Sequence, residues 1–288
     1  KYNMEINGVY YCPGNIIISN GEAINVGEPE KGFLIEHFYI DFENKTIKDM
    51  VEYGNLEKDA FLDAFSHCVI EKIEVEKVEG IKKRIKIKLA DVEDVVLIEI
   101  DKDNQIIGYE NHNLSNIGDS FLRFNTNLTR LELPNLQKVG SRFLRNNKAL
   151  EELELQRLQE VRNAFLFSNN KLTQLKLPML QQVGNNFLAN NETLTELELP
   201  NLQKIGGYFL PYSTNLQQLK LPSLQNVGDY FLEYNMAVIE LELPNLREVG
   251  MSFFHHNENI KQIKLPNLRE VGNYFMCSNK ELKQLYKE

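Results

Sequence analysis

The chain has 288 residues, enough for two domains, and a formal net charge of −9 from 41 acidic and 32 basic side chains. That balance argues against nucleic acid as a partner, because phosphate binding needs a concentrated basic face. No apolar run reaches the roughly 18 to 20 residues of a membrane-spanning helix, and Cys12, Cys68 and Cys277, without a C-x-x-C pair, exclude a disulfide framework or a zinc knuckle.

Residues 1–105 read as an acidic α+β cap domain, with 22 acids against 13 bases. Strand composition and partial alternation mark 15–19, 38–42, 69–78, 81–90 and 95–100, with a hairpin turn at 43–45. Between them LEKDAFLDAFSH, residues 56–67, spaces Leu56, Ala60, Phe61, Ala64 and Phe65 on one helical face. A bridge between Cys12 and Cys68 is left open by their spacing. DKDN, residues 101–104, lacks the glycine and distal glutamate of a calcium loop and reads as a turn. The first residue is Lys1, as expected of a processed or truncated chain, in which any export signal would have been lost with the missing residues.

From residue 106 onward a 22-residue unit repeats without insertion: a degenerate first unit 106–127, seven full units 128–281 and a terminal strand 282–288. Counting from Leu128 or its equivalents, apolar residues fall at positions 1, 4, 6, 9, 12, 16 and 17. Positions 4 and 6 alternate with polar 3 and 5, the pattern of a half-buried strand of roughly five residues. Proline at 7 has no N–H to donate and ends the ladder. Glycine at 13 requires either positive φ or close approach of the neighbouring coil. Phe at 16 predicts one buried column, and Asn at 20 a buried amide row that satisfies backbone groups of the re-entering loop. The period predicts an α/β leucine-rich-repeat solenoid, in which each unit is one strand plus a return segment and is stable only when stacked. Six of the nine arginines lie between Arg123 and Arg162, where they are expected to help dock the acidic cap.

The full unit, L-x-x-L-x-L-P-x-L-x-x-V-G-x-x-F-L-x-x-N, resembles the BspA-like leucine-rich repeats of bacterial surface proteins over residues 106–288. The resemblance implies a secreted or cell-surface protein that binds other macromolecules, with no cofactor. It supplies no catalytic residues to carry over.

Two surfaces are candidates for a partner. The outward strand positions present Glu196, Glu198, Gln218, Lys220, Glu240, Glu242 and Lys264, where acids and bases alternate from strand to strand and neutralise one another. Positions 15 and 19 of the later units present Tyr208, Tyr212, Tyr230, Tyr234 and Tyr274 beside His255 and His256, and tyrosine is enriched in interfaces. No carboxylate or third histidine has the spacing to complete a metal site with the two histidines. Nucleophile elbows, phosphate loops and zinc-protease motifs are absent from the sequence, and no cysteine has an obvious histidine-acid partner set. The expected function is non-enzymatic binding of a protein or glycan at a bacterial cell surface or outside the cell. An intracellular scaffold or host-directed effector is the alternative, and the oligomeric state is open.

Overall fold

The computed structural model describes residues 38–49, 64–65, 68–103, 105–279 and 281–282, and the backbone of five further strands, Met4–Ile6, Val9–Cys12, Ile16–Ser19, Glu22–Asn25 and Gly32–Ile35, and of Gln284–Tyr286. Packing divides the chain into two units, Lys1–Asn113 and Leu114–Glu288.

The described part of the first unit is antiparallel β. Met4–Ile6, Val9–Cys12, Ile16–Ser19 and Glu22–Asn25 pair in sequence, as do Gly32–Ile35, Phe38–Asp41 and Thr46–Asp49. A third meander joins Ile70–Val78, Ile81–Leu89, Val95–Ile100 and Ile106–Glu110. Its inward Ile85, Ile87, Leu89, Val96 and Ile98 are buried, because alternate side chains share a face. The turn after Asp41 is closed by Asn44, which donates its backbone N and Nδ2 to the Asp41 carboxylate at 2.9 Å each. Asp101 does the same for the turn after Ile100, accepting from the backbone N of Asp103 (2.8 Å) and Gln105 (3.0 Å). Residues 106–110, which the 22-residue spacing assigns to a degenerate repeat, are a strand of this meander.

The fold class expected of the repeats needs correction. Among the described residues the chain is nearly free of helix: only Ala64 and Phe65 of the stretch 56–67 are helical, and the remainder of that stretch lies outside the described residues. Of the α+β cap, what is described is its antiparallel strands and these two helical residues, while the repeats form a β-solenoid rather than an α/β array. Cys68 carries a free, exposed thiol, so the bridge to Cys12 is not made.

Each 22-residue coil of the second unit contains two short parallel strands. Positions 3 to 5 form one set, from Arg130–Glu132 to Gln284–Tyr286, and positions 11 and 12 form another, from Asn116–Ile117 to Glu270–Val271. The second set is one continuous parallel sheet, each strand paired with its equivalent 22 residues on, as in Val183 with Ile205. The first strand is three residues rather than five, although the leucine after it still donates to the next coil, as Leu199 N does to Lys220 O at 3.0 Å.

The return segment forms no helix and closes instead by alternating backbone hand. Positions 15, 17 and 19 all have positive φ, between 51° and 62° in Arg142, Leu144 and Asn146, and between 53° and 60° in Tyr208, Leu210 and Tyr212. Alternation turns successive N–H groups toward opposite neighbours. Tyr208 N donates to Asp229 O of the next coil (2.8 Å), while Leu210 N donates to Phe187 O of the previous one (3.0 Å). A buried backbone that is neither helix nor strand is thereby satisfied.

Packing follows the column logic. Phe121, Phe143, Phe165, Phe187, Phe209, Phe231 and Phe253 are fully buried, and consecutive rings through Phe275 stack at 5.1–5.6 Å with interplanar angles of 2–10°. The asparagine row behaves as its chemistry requires. Asn147, Asn169, Asn191, Asn235, Asn257 and Asn279 each donate Nδ2 to the position-17 carbonyl of the previous coil at 2.7–3.0 Å, and Ser213 substitutes its hydroxyl at 3.3 Å. Asn191→Ala leaves the Leu166 carbonyl and the Asn169 N–H without their partner, and is expected to cost about 2–3 kcal/mol in urea unfolding. Asn191→Ser should recover part of that loss, as Ser213 already does this work. Equal losses for the two variants would show that the bond to Leu166 contributes nothing.

Candidate binding surfaces

The strand face is built by the alternation at positions 3 to 5. Position 4 is buried in each coil, so the flanking side chains must point outward. Glu196, Glu198, Gln218, Lys220, Glu240 and Glu242 are exposed and Lys264 is half-buried. In-register pairing brings Lys220 to 3.7 Å from Glu198 and Lys264 to 3.2 Å from Glu242, and Lys176 to 3.4 Å from Glu154. The position-5 row is thus neutralised pair by pair. The position-3 row runs Glu196, Gln218, Glu240, Gln262, and among the described residues Glu196 and Glu240 make no ion pair. Shallow depressions lie along this face. One is lined by Gln218, Lys220, Glu240 and Lys261 together with the exposed Met236 and Ile239. That apolar pair was not singled out from sequence, although both positions are polar in every other full unit.

A second face is made by the alternating-hand segment. Positions 16 and 17 turn inward, and 15 and 19 turn outward with the coil spacing between equivalents. Tyr208 stacks on Tyr230 with centroids 4.5 Å apart, Tyr212 on Tyr234 at 5.5 Å, and Tyr234 on His256 at 4.9 Å, all within 11° of parallel. Tyr208, Tyr212 and Tyr274 are 40%, 51% and 65% exposed. Ser252 separates Tyr274 from the Tyr208–Tyr230 pair, so the five tyrosines form two rows and one outlier. Stacking covers both faces of Tyr234 and one face each of Tyr208, Tyr230 and Tyr212. Partial burial, followed by the nearby Tyr230 and Glu233, holds the Tyr208 phenol above its usual value, so it stays a hydrogen-bond donor. A bulky residue in left-handed backbone is intrinsically costly, which makes these tyrosines a poor choice for the backbone alone.

Position 18 places Glu233, His255 and Cys277 in successive coils, a juxtaposition that their 22-residue spacing carried and that was not singled out from sequence. His255 Nδ1 lies 3.7 Å from Glu233 Oε1, too far for the hydrogen bond that would orient a general base. The His255 and His256 rings touch at 3.9 Å, but among the described residues no set of three ligands closes around them. At the other end of the same face, Arg145 lies over the Phe167 ring at 4.8 Å.

The BspA type leucine rich repeat region family matches residues 63–195 and 181–286, in six copies. Comparison with curated proteins gives no match. Among solved structures, the chain is similar to a leucine-rich repeat protein from Bacteroides ovatus, with 18% identity and a TM-score of 0.50 over 75% of this chain and 70% of that one. At that identity the likeness is one of fold. With the repeat unit, its two strand sets and its stacked core in place, the chain belongs to the BspA-type leucine-rich repeat family.

Proposed function

We propose that the protein is a non-enzymatic binding module, exposed at a bacterial cell surface or secreted, whose strand face receives another protein or a glycan. The observation that carries this is the polar ladder itself. Outward side chains of consecutive coils stand in register on a stack that needs none of them for its core, and the charges of the position-5 row are paired off. A partner then meets hydrogen-bonding groups over a long span without a strong field, which suits a broad contact better than a small-molecule pocket. The divergence of Met236 and Ile239 from the repeat adds an apolar anchor beside that ladder.

The test is capture from extracellular-matrix and host-cell-surface extracts with the full chain as bait, beside a Glu196→Lys, Gln218→Lys, Glu240→Lys variant. The variant should lose at least about tenfold in capture while its stability changes by less than about 1 kcal/mol, since exposed charges contribute little to folding. Capture unaffected by these changes but lost in Tyr208→Ala, Tyr230→Ala, Tyr234→Ala would move the ligand to the tyrosine face. Capture by none would favour the intracellular scaffold.

A further inference from the structure

The tyrosine face changes character along its length in an ordered way. Coil 128–149 presents Arg142 and Arg145, coil 150–171 presents Phe167, and coil 172–193 presents Asn186 and Asn190. Coil 194–215 presents Tyr208 and Tyr212, and coil 216–237 presents Tyr230, Tyr234 and Glu233. All stand at positions 15, 18 or 19, so all emerge from the same alternating-hand segment.

We propose that this face is the contact between two copies of the chain, packed antiparallel about a two-fold axis at coil 172–193. The proposal rests on the binding-module reading and assigns the second face, leaving the strand face to the ligand. Three features of the sequence of coils fit such an axis. Reversal about coil 172–193 sets Arg142 and Arg145 of one copy against Tyr230, Tyr234 and Glu233 of the other, pairing guanidinium with carboxylate and phenol hydroxyls. It sets Phe167 against Tyr208 and Tyr212, apolar against aromatic. It leaves Asn186 and Asn190 on the axis, where each must meet its own equivalent. An amide is both donor and acceptor, so asparagine is self-complementary where a charge would repel its mate.

The stacks favour a protein surface over a sugar at this face, because a pyranose stacks on an aromatic face, and both faces of Tyr234 and one face each of Tyr208, Tyr212 and Tyr230 are covered by neighbouring rings. The rings are also held in place before association, so little rotamer freedom is lost. A strip of seven coils measures about 35 Å by about 15 Å, near 1,000 Å² in total for two copies, the low end of specific interfaces, so the dimer is expected to be weak and concentration-dependent.

Sedimentation equilibrium of the full chain provides the test, with Asn190→Arg, Asn190→Asp and their equimolar mixture. Asn190 is chosen because Asn146 and Tyr212, its equivalents in other coils, show that the position accepts different side chains. The wild type should move from monomer toward dimer between about 1 and 500 µM. Each variant alone should dissociate at least about tenfold more readily, since like charges face each other across the axis, and the mixture should associate at least as well as wild type. A second pair, Arg142→Glu with Arg145→Glu, should weaken association without touching the axis. A wild type that stays monomeric at the highest concentration overturns the proposal, as does a dimer indifferent to both sets of changes. Monomer with intact capture through the strand face would sink the dimer alone, whereas loss of capture with an intact dimer would sink the binding reading alone.

Discussion

Phe187→Ala is expected to lower the unfolding free energy by about 3–5 kcal/mol, the range for truncating a fully buried aromatic residue. The ring has no exposed surface and stacks on Phe165 at 5.5 Å and Phe209 at 5.4 Å. Its removal costs the transfer free energy of the side chain and leaves a cavity. That cavity cannot close easily, because the coil spacing on both sides is held by the backbone bonds Leu188 N to Phe165 O and Leu210 N to Phe187 O, each 3.0 Å. Two ring contacts are lost from one substitution, so the loss spreads to both neighbouring coils, as expected where stability is a sum over nearest neighbours. Urea denaturation measures it, with Phe275→Ala as the comparison. Phe275 has a stacked ring only on its Phe253 side among the described residues and is half-buried, so its loss should be smaller. A decrease under about 1 kcal/mol at Phe187 would mean that the column is filled rather than held by these rings.

Two adjacent positions separate space from backbone conformation. A Cβ on Gly228 would meet Gly206 C at 2.7 Å, Gly207 N at 2.8 Å and Gly206 O at 2.9 Å, all main-chain atoms of the previous coil. Gly228 is not in the left-handed region, where Gly80 is the one described glycine. The requirement is therefore closeness, and it cannot be relieved by a side-chain rotation. Gly228→Ala should push two coils apart at the second strand set and cost about 2–4 kcal/mol, seen as a lowered midpoint in thermal unfolding. A Cβ on Gly207 meets nothing nearer than Asp229 O at 3.4 Å. Gly207→Ala should be neutral within about 1 kcal/mol, or slightly stabilising through the unfolded chain. Equal effects at the two glycines would remove coil contact as the explanation for the position-13 row.

Much of the molecule was legible because the period forces it. Residues that recur every 22 positions must meet in a stack, so the phenylalanine column and the asparagine row could be read from their chemistry. The acid–base alternation at position 5 became Glu198–Lys220 and Glu242–Lys264 contacts for the same reason. The second strand set was not legible. Two residues, such as Lys204 and Ile205, are too few to show alternation, and they are strands only because an identical pair lies on each side. Of the helix expected at 56–67, Ala64 and Phe65 are helical and the other residues lie outside the described ones.

The amino-acid sequence determined by itself the solenoid, its period, its buried rows and the family, since each follows from residue type at a repeated position. Only the tertiary structure decided how the return segment closes and what its outer rows present. Positive φ at positions 15, 17 and 19 is adopted by Arg142, Ala164, Asn186, Tyr208 and Ser252 alike. No residue type announces it, because the hand of each peptide is set by hydrogen bonds to the coils before and after. Those bonds turn the tyrosines outward and lay ring on ring, so that a scattered excess of tyrosine in the sequence becomes two stacked rows on one face.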